Sequence, residues 1–185
     1  MFKLIGELHR LKLQGRSIDI VAFNGFRDEA QRQRFISLPG QGPHEAAQAE
    51  NIRRAAESQP YDHVLVLVGN LHARKVPVER GAVRYKPMAM QLGSAAEVTT
   101  LNMRSSGGSM WNCLTKPNVT LEPGKPIPPG AIDCGNHQTG LSSVDLGPEA
   151  FVKLGPFPGE PAETGYDGFY WLGRVNGSPP AILKP

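Results

Sequence analysis

Residues 62–69 read DHVLVLVG: five apolar residues in succession, Val64 to Val68, end on a glycine. Three of the five are β-branched valines, which suit a pleated surface better than a helix. An extended chain that is apolar on both sides predicts a strand buried on both faces, hence central in a sheet. Such a strand demands covering layers above and below, and helical patterns do lie on either side of it.

Phe2, Leu4, Ile5, Leu8 and Leu11 recur at helical spacing over Met1–Leu13, and Gly15 follows as a stop. SIDIVAF (17–23) reads as a short strand. GPHEAAQAENIRRAAES (42–58) is a strong helix, with proline near its start, acidic residues early, arginines later and alanine throughout. KPMAMQLGS (86–94) reads as a short helix, EVTTLNM (97–103) as a third strand and YDGFYWLGRV (166–175) as a last one. Alternation of this kind predicts an α/β fold: an open, mostly parallel sheet flanked by helices over residues 1–104. Most of the 17 prolines fall after residue 115, so residues 105–185 are expected to form a loop-rich Pro/Gly C-terminal extension packed on that core. A doubly wound sheet opens with a strand, whereas this chain opens in a helical pattern. The expectation is therefore of an N-terminally truncated domain.

A net charge of +3, with no aromatic residues interleaved among scattered lysines and arginines, argues against a nucleic-acid partner. No run of 18 or more apolar residues occurs, so no transmembrane segment is expected, and the first residues carry charges where a signal peptide has an unbroken apolar stretch. Cys113 and Cys134 lack CxxC spacing. By composition alone they are either a disulfide or two free thiols.

In open sheets of this class, ligands sit outside the carboxyl ends of the strands. GNLH (69–72) falls at such an end, so Gly69 would allow a close approach or positive φ while Asn70 and His72 project toward one crevice. Histidine there suits general-base work or metal ligation; the alternative is a turn histidine bonded to backbone. Arg27 and Arg104 fall at the other expected strand ends and are candidate substrate-binding residues. His44 and Glu45 open the helix before the apolar run, and Asn51 lies two turns further on nearly the same face. Glu45 is sufficiently explained by the helix dipole, yet it also suits a site. Glu7 and His9 in GELH (6–9) fit exposed helix positions better than a catalytic loop. No GxSxG, P-loop, HExxH or GxGxxG motif is present.

HEAAQAENIRRAA followed by DHVLVLVGNLHARK resembles the closing half of the erythromycin-esterase, ChaN and Tiki group. There a helix with an R-[D/E]-x-x-M-A-x-N pattern precedes a strand ending in G-N-x-H. The resemblance covers residues 44–75 and extends less firmly through MAMQLGSAAEVTTLNM. It implies His72 as the site histidine with Asn70 beside it, Glu45 as the acidic member of the helix motif and Asn51 as its asparagine. His44 stands where the group has arginine and Gln48 where it has methionine. The implied function is a hydrolase acting on an ester or peptide bond of a small-molecule or peptide substrate. In it His72 activates water, Glu45 orients or shares the proton, and Asn70 or His44 stabilises the oxyanion. ChaN-like relatives imply an alternative, haem or a divalent metal held by His72 and His44 or by one of the tyrosines. A third reading is a non-catalytic interaction module. The resemblance also implies export to a periplasmic or secreted location, and with it a Cys113–Cys134 disulfide.

Overall fold

The computed structural model describes residues 2–94, 97–120, 126–140, 144–162 and 165–178. The chain divides into two compact units, Met1–Leu67 with Pro77–Gly93, and Val68–Val76 with Ser94–Pro185.

The first unit is built on helices. α1 (Phe2–Leu13) ends where the sequence predicts. Gly15 takes φ +84°, the Gly15 amide reaches Lys12 O and the Arg16 amide reaches Leu11 O, the paired bonds of a glycine-terminated helix. α2 (Glu29–Phe35) starts on Asp28, whose side chain accepts from Gln31 N at 2.7 Å and so satisfies one orphan amide. α3 (Gly42–Glu57) has Pro43 as its second residue and carries Glu45 in its first turn and Arg54 in its last. Its alanines 46, 47 and 49, with Ile52, are buried, and small side chains let α2 and the 3₁₀ turn Met88–Gln91 lie close against it. A hairpin of β1 (Val78–Arg80) and β2 (Val83–Tyr85) buries Val78 and Tyr85.

The second unit is built on strands. β3 (Leu101–Arg104) pairs parallel with β7 (Gly168–Trp171), and β6 (Phe151–Leu154) pairs antiparallel with the other edge of β7. The close fit of β6 on β7 depends on Gly168: a Cβ there would sit 2.2 Å from Lys153 O. The sheet lays Phe169 and Trp171 against Phe157, with Val144, Leu146 and Phe151 packed around them. Phe169 meets the Phe157 ring edge-on at 5.0 Å, and the Trp171 indole N–H donates to Gly147 O at 2.7 Å. β4 (Gly108–Thr115) and β5 (Ile132–Thr139) form a separate eight-pair antiparallel hairpin. Cys113 lies directly opposite Cys134 in that ladder, Cα to Cα 4.0 Å, and the two are joined by a disulfide.

These elements overturn the expected open, mostly parallel sheet. Three small sheets are present among the described residues, and β3–β7 is their one parallel strand pair. The apolar run that predicted a central strand enters no ladder: Val64 is 50% exposed, Leu65 97% and Leu67 62%. SIDIVAF is likewise unladdered, with Ile20 58% and Val21 51% exposed. Hydropathy states that a segment gains by burial; it does not supply the neighbouring strands on which a ladder depends. The helix expected over 86–94 contracts to one 3₁₀ turn, and the strand expected over 97–103 becomes β3.

Candidate functional site

GNLH sits on a tight turn in the second unit. The His72 amide reaches Gly69 O at 3.0 Å, the Ala73 amide reaches Asn70 O at 3.2 Å and the Arg74 amide reaches Leu71 O at 3.4 Å. Gly69 is not in the left-handed region, so the turn needs no special conformation there. Asn70 is the anchor. Its side-chain amide donates to Met103 O at 3.3 Å and accepts from Met103 N at 3.1 Å, copying a strand rung along β3. The Asn70 carbonyl takes a further bond from the Tyr166 hydroxyl at 2.8 Å. His72 is half-buried on this turn.

The same strand leads from Met103 to Arg104, which lines a cleft of about 140 Å³ with Asn102, Phe157, Tyr166, Asp167 and Phe169. Arg104 Nη2 donates to Glu160 at 2.7 Å, and the guanidinium carbon lies 5.2 Å from the Phe157 ring centre. Asp167 of the lining is ion-paired: Lys75 Nζ donates to Asp167 Oδ1 at 2.6 Å and to Val98 O at 3.1 Å. Asp167 Oδ2 accepts from Thr100 N at 2.8 Å. Burial pushes the Asp167 carboxyl up, but the bonds from Lys75 and Thr100 outweigh it and hold the group below the usual carboxylate range.

His44, Glu45, Asn51 and Arg27 belong to the first unit: His44 and Glu45 in the first turn of α3, Asn51 two turns further along it, and Arg27 just before α2. Glu45 is fully buried and its Oε2 accepts from Met88 N at 2.7 Å, tying the 3₁₀ turn to the helix. His44 Nε2 lies 2.9 Å from Gln48 Nε2, which also donates to Asn24. An amide nitrogen only donates, so the Nε2 lone pair of His44 is engaged. Asn51 donates to Phe23 O and Gly25 O at 2.9 and 3.0 Å and accepts from Gln31 at 2.9 Å. Arg27 donates to Asp28 at 2.9 Å and lies 3.6 Å from Glu50. His72, Asn70 and Arg104 thus share one unit, and the four residues near α3 share the other.

Lys75 and Asp167 are not among the residues the sequence singles out, and Tyr166 is so only as one of the tyrosines that could hold haem. Their signal was present: Tyr166 and Asp167 immediately precede the strand expected near 166–175, and Lys75 closes HARK. Among the described residues no three His, Cys, Asp or Glu side chains gather to hold a metal. A haem does not fit the cleft either, since about 140 Å³ lies below the roughly 300–1,000 Å³ of drug-sized sites. Among the described residues no helix is long and apolar enough to cross a membrane. The disulfide is compatible with an extracellular location. No protein-family model, no curated protein and no solved structure matches the chain.

Proposed function

We propose that the second unit carries a hydrolase-type site for a small polar substrate, in keeping with the likeness of GNLH to the erythromycin-esterase, ChaN and Tiki group. His72 acts as the general base that takes a proton from water. Asn70 positions the turn that bears it, and Arg104 faces the substrate from the cleft. The observation that carries this reading is the fixing of the turn: Asn70 donates to Met103 O and accepts from Met103 N, securing GNLH to the strand that ends in Arg104, and the Tyr166 hydroxyl donates to Asn70 O. A base held by rigid neighbours loses little orientation on reaching the transition state. The size of the cleft supports a compact acyl or peptidyl group over an extended chain. Glu45 keeps a structural role at Met88 in this reading, and Asn51 and Arg27 brace α3. The compartment we propose is oxidising, periplasmic or secreted, supported by the disulfide.

The test is hydrolysis of a panel of small activated esters and dipeptide amides by the whole chain. His72→Ala is expected to lower kcat by about 10²–10⁴-fold with an unchanged melting temperature. Arg104→Gln is expected to act mainly on KM. An active wild type whose rate is untouched by His72→Ala defeats the assignment, as does wild-type protein with no turnover of any panel member.

A further inference from the structure

Cys113 and Cys134 face each other across one rung of the β4–β5 hairpin, and both residues are exposed. Exposure separates exchangeable disulfides from those that only hold a fold, because an external thiolate has to reach a sulfur. Strand alternation puts Ser109, Trp111 and Thr115 of β4 on the face of Cys113, with Ile132, Asn136 and Gln138 of β5 beside Cys134. None of these six residues carries a charge, so no carboxylate on that face of the hairpin repels an incoming thiolate.

The two ends of the hairpin are held differently. At its root the Ser109 amide donates to Val175 O at 2.9 Å, the Val175 amide to Gly107 O at 3.0 Å and the Gly177 amide to Ser109 Oγ at 3.2 Å. The cysteine rung lies toward the other end, two rungs before the ladder finishes at Thr115 and Ile132. Reduction therefore removes the covalent hold near the tip and none of the bonds at the root. The rungs on either side keep the two cysteines opposed, Cα to Cα 4.0 Å in the linked form, so reclosure is an intramolecular step between groups already in place.

We propose that Cys113–Cys134 is a thiol–disulfide exchange site, opened by an external dithiol while the sheets of the unit stay folded. One thiolate of the dithiol attacks a cysteine sulfur, forms a mixed disulfide and releases the other cysteine as a thiolate. The second thiol of the dithiol then attacks the mixed disulfide, frees the remaining cysteine and leaves as a cyclic disulfide. Two electrons and two protons pass to the protein, which ends with two thiols. The opened form has a loosened ladder end, residues 113–119 and 131–134, and an unchanged root. Surrounding redox conditions thereby set the mobility of the connection between β4 and β5.

The test is reduction of the whole chain by dithiothreitol in native buffer, with free thiols trapped by a maleimide and counted by mass. The rate is expected to lie within about tenfold of that for the chain unfolded in urea, since attack on an open sulfur is limited by thiolate chemistry. A link reached only through global unfolding is slower by about 10³-fold or more, and any retardation beyond about tenfold overturns the proposal. Hydrogen exchange of the reduced chain should rise in 113–119 and 131–134 and stay unchanged in 107–110, β3, β6 and β7. Transfer into oxidised glutathione should restore the starting mass and exchange pattern. Loss of the far-UV circular dichroism spectrum on reduction, exchange that rises throughout or nowhere, or failure to reclose is each a refutation. The Cys113→Ser/Cys134→Ser variant, kept without reductant, should show the exchange pattern of the reduced chain. The pattern of the oxidised wild type in that variant refutes the proposal as well.

Discussion

In the second unit a three-stranded sheet lays Phe157, Phe169 and Trp171 against one another. In the first, the interior is largely alanine on α3, with Ile52, Val78, Tyr85 and Met88, and polar groups are buried with them: Gln31 and Glu45 fully. Dispersion and apolar burial secure the strand-built unit, whereas directed hydrogen bonds make up much of the difference in the helical one. The contrast shows why the same loss of a side chain has different causes in the two places. Removing an aromatic ring leaves a void, and removing an amide leaves its former partners unpaired.

The largest effect should come from Trp171→Ala, which both empties the core and frees Gly147 O. We expect a loss of about 3–5 kcal/mol in denaturant unfolding, and a loss near 1 kcal/mol would show that the aromatic cluster does not carry the unit. Next comes the disulfide, with Cys113 and Cys134 separated by 21 positions. Replacing both by serine should remove about 3 kcal/mol in the chain-entropy account, measured by the same method without reductant. For the helical unit, Asn51→Ala removes the donor to two carbonyls and one of the two acceptors of the Gln31 amide, which keeps Glu50. It should cost about 1–3 kcal/mol, and Asn51→Leu should not recover it, because apolar volume is not what is missing. An outcome in which leucine restores stability would erase the distinction between the units.

The smallest effect is in pH. Burial raises the Glu50 carboxyl, but Arg34 and Gln31 outweigh it and hold the group low; Asp167 behaves alike through Lys75 and Thr100. A carboxyl with a folded pKa below its unfolded value adds stability that is complete above the ordinary carboxylate range. That stability is lost as pH falls through the lowered pKa. Glu50→Gln and Asp167→Asn should therefore each flatten the acid limb of the stability curve below about pH 4, Glu50 for the helical unit and Asp167 for the other. An unchanged limb in either variant removes that pair from the account.

α1 and α3 were legible because their signals are local, whereas residues 24–43 read as a connection and α2 (Glu29–Phe35) was missed. Spacing of apolar residues and a glycine stop mark α1; proline, glutamate and alanine mark α3. GNLH, Asn70 and Arg104 were also readable as site candidates, although the bonds of Asn70 to Met103 depend on residues 33 positions apart. The strand pairs were not legible. The two best strand-like runs have no partners, while β5, IDCGNHQT, forms a full ladder with hardly an apolar residue in it. Its stability derives from pairing with β4 and from the cysteine link, neither of which is a property of the segment itself. The cleft was not legible for the same reason, because Asn102, Arg104, Phe157 and Asp167 meet only after folding.

The position of that cysteine link has a further consequence. It joins the two facing residues of one rung inside the β4–β5 ladder, while the proline-rich connection between the strands lies outside it, with the Lys116 amide bonded to Ala131 O just beyond the last rung. A protease that severs the peptide backbone within this connection would therefore leave both fragments riveted together. On a denaturing gel the cut chain would run as one species until a thiol reagent parts it.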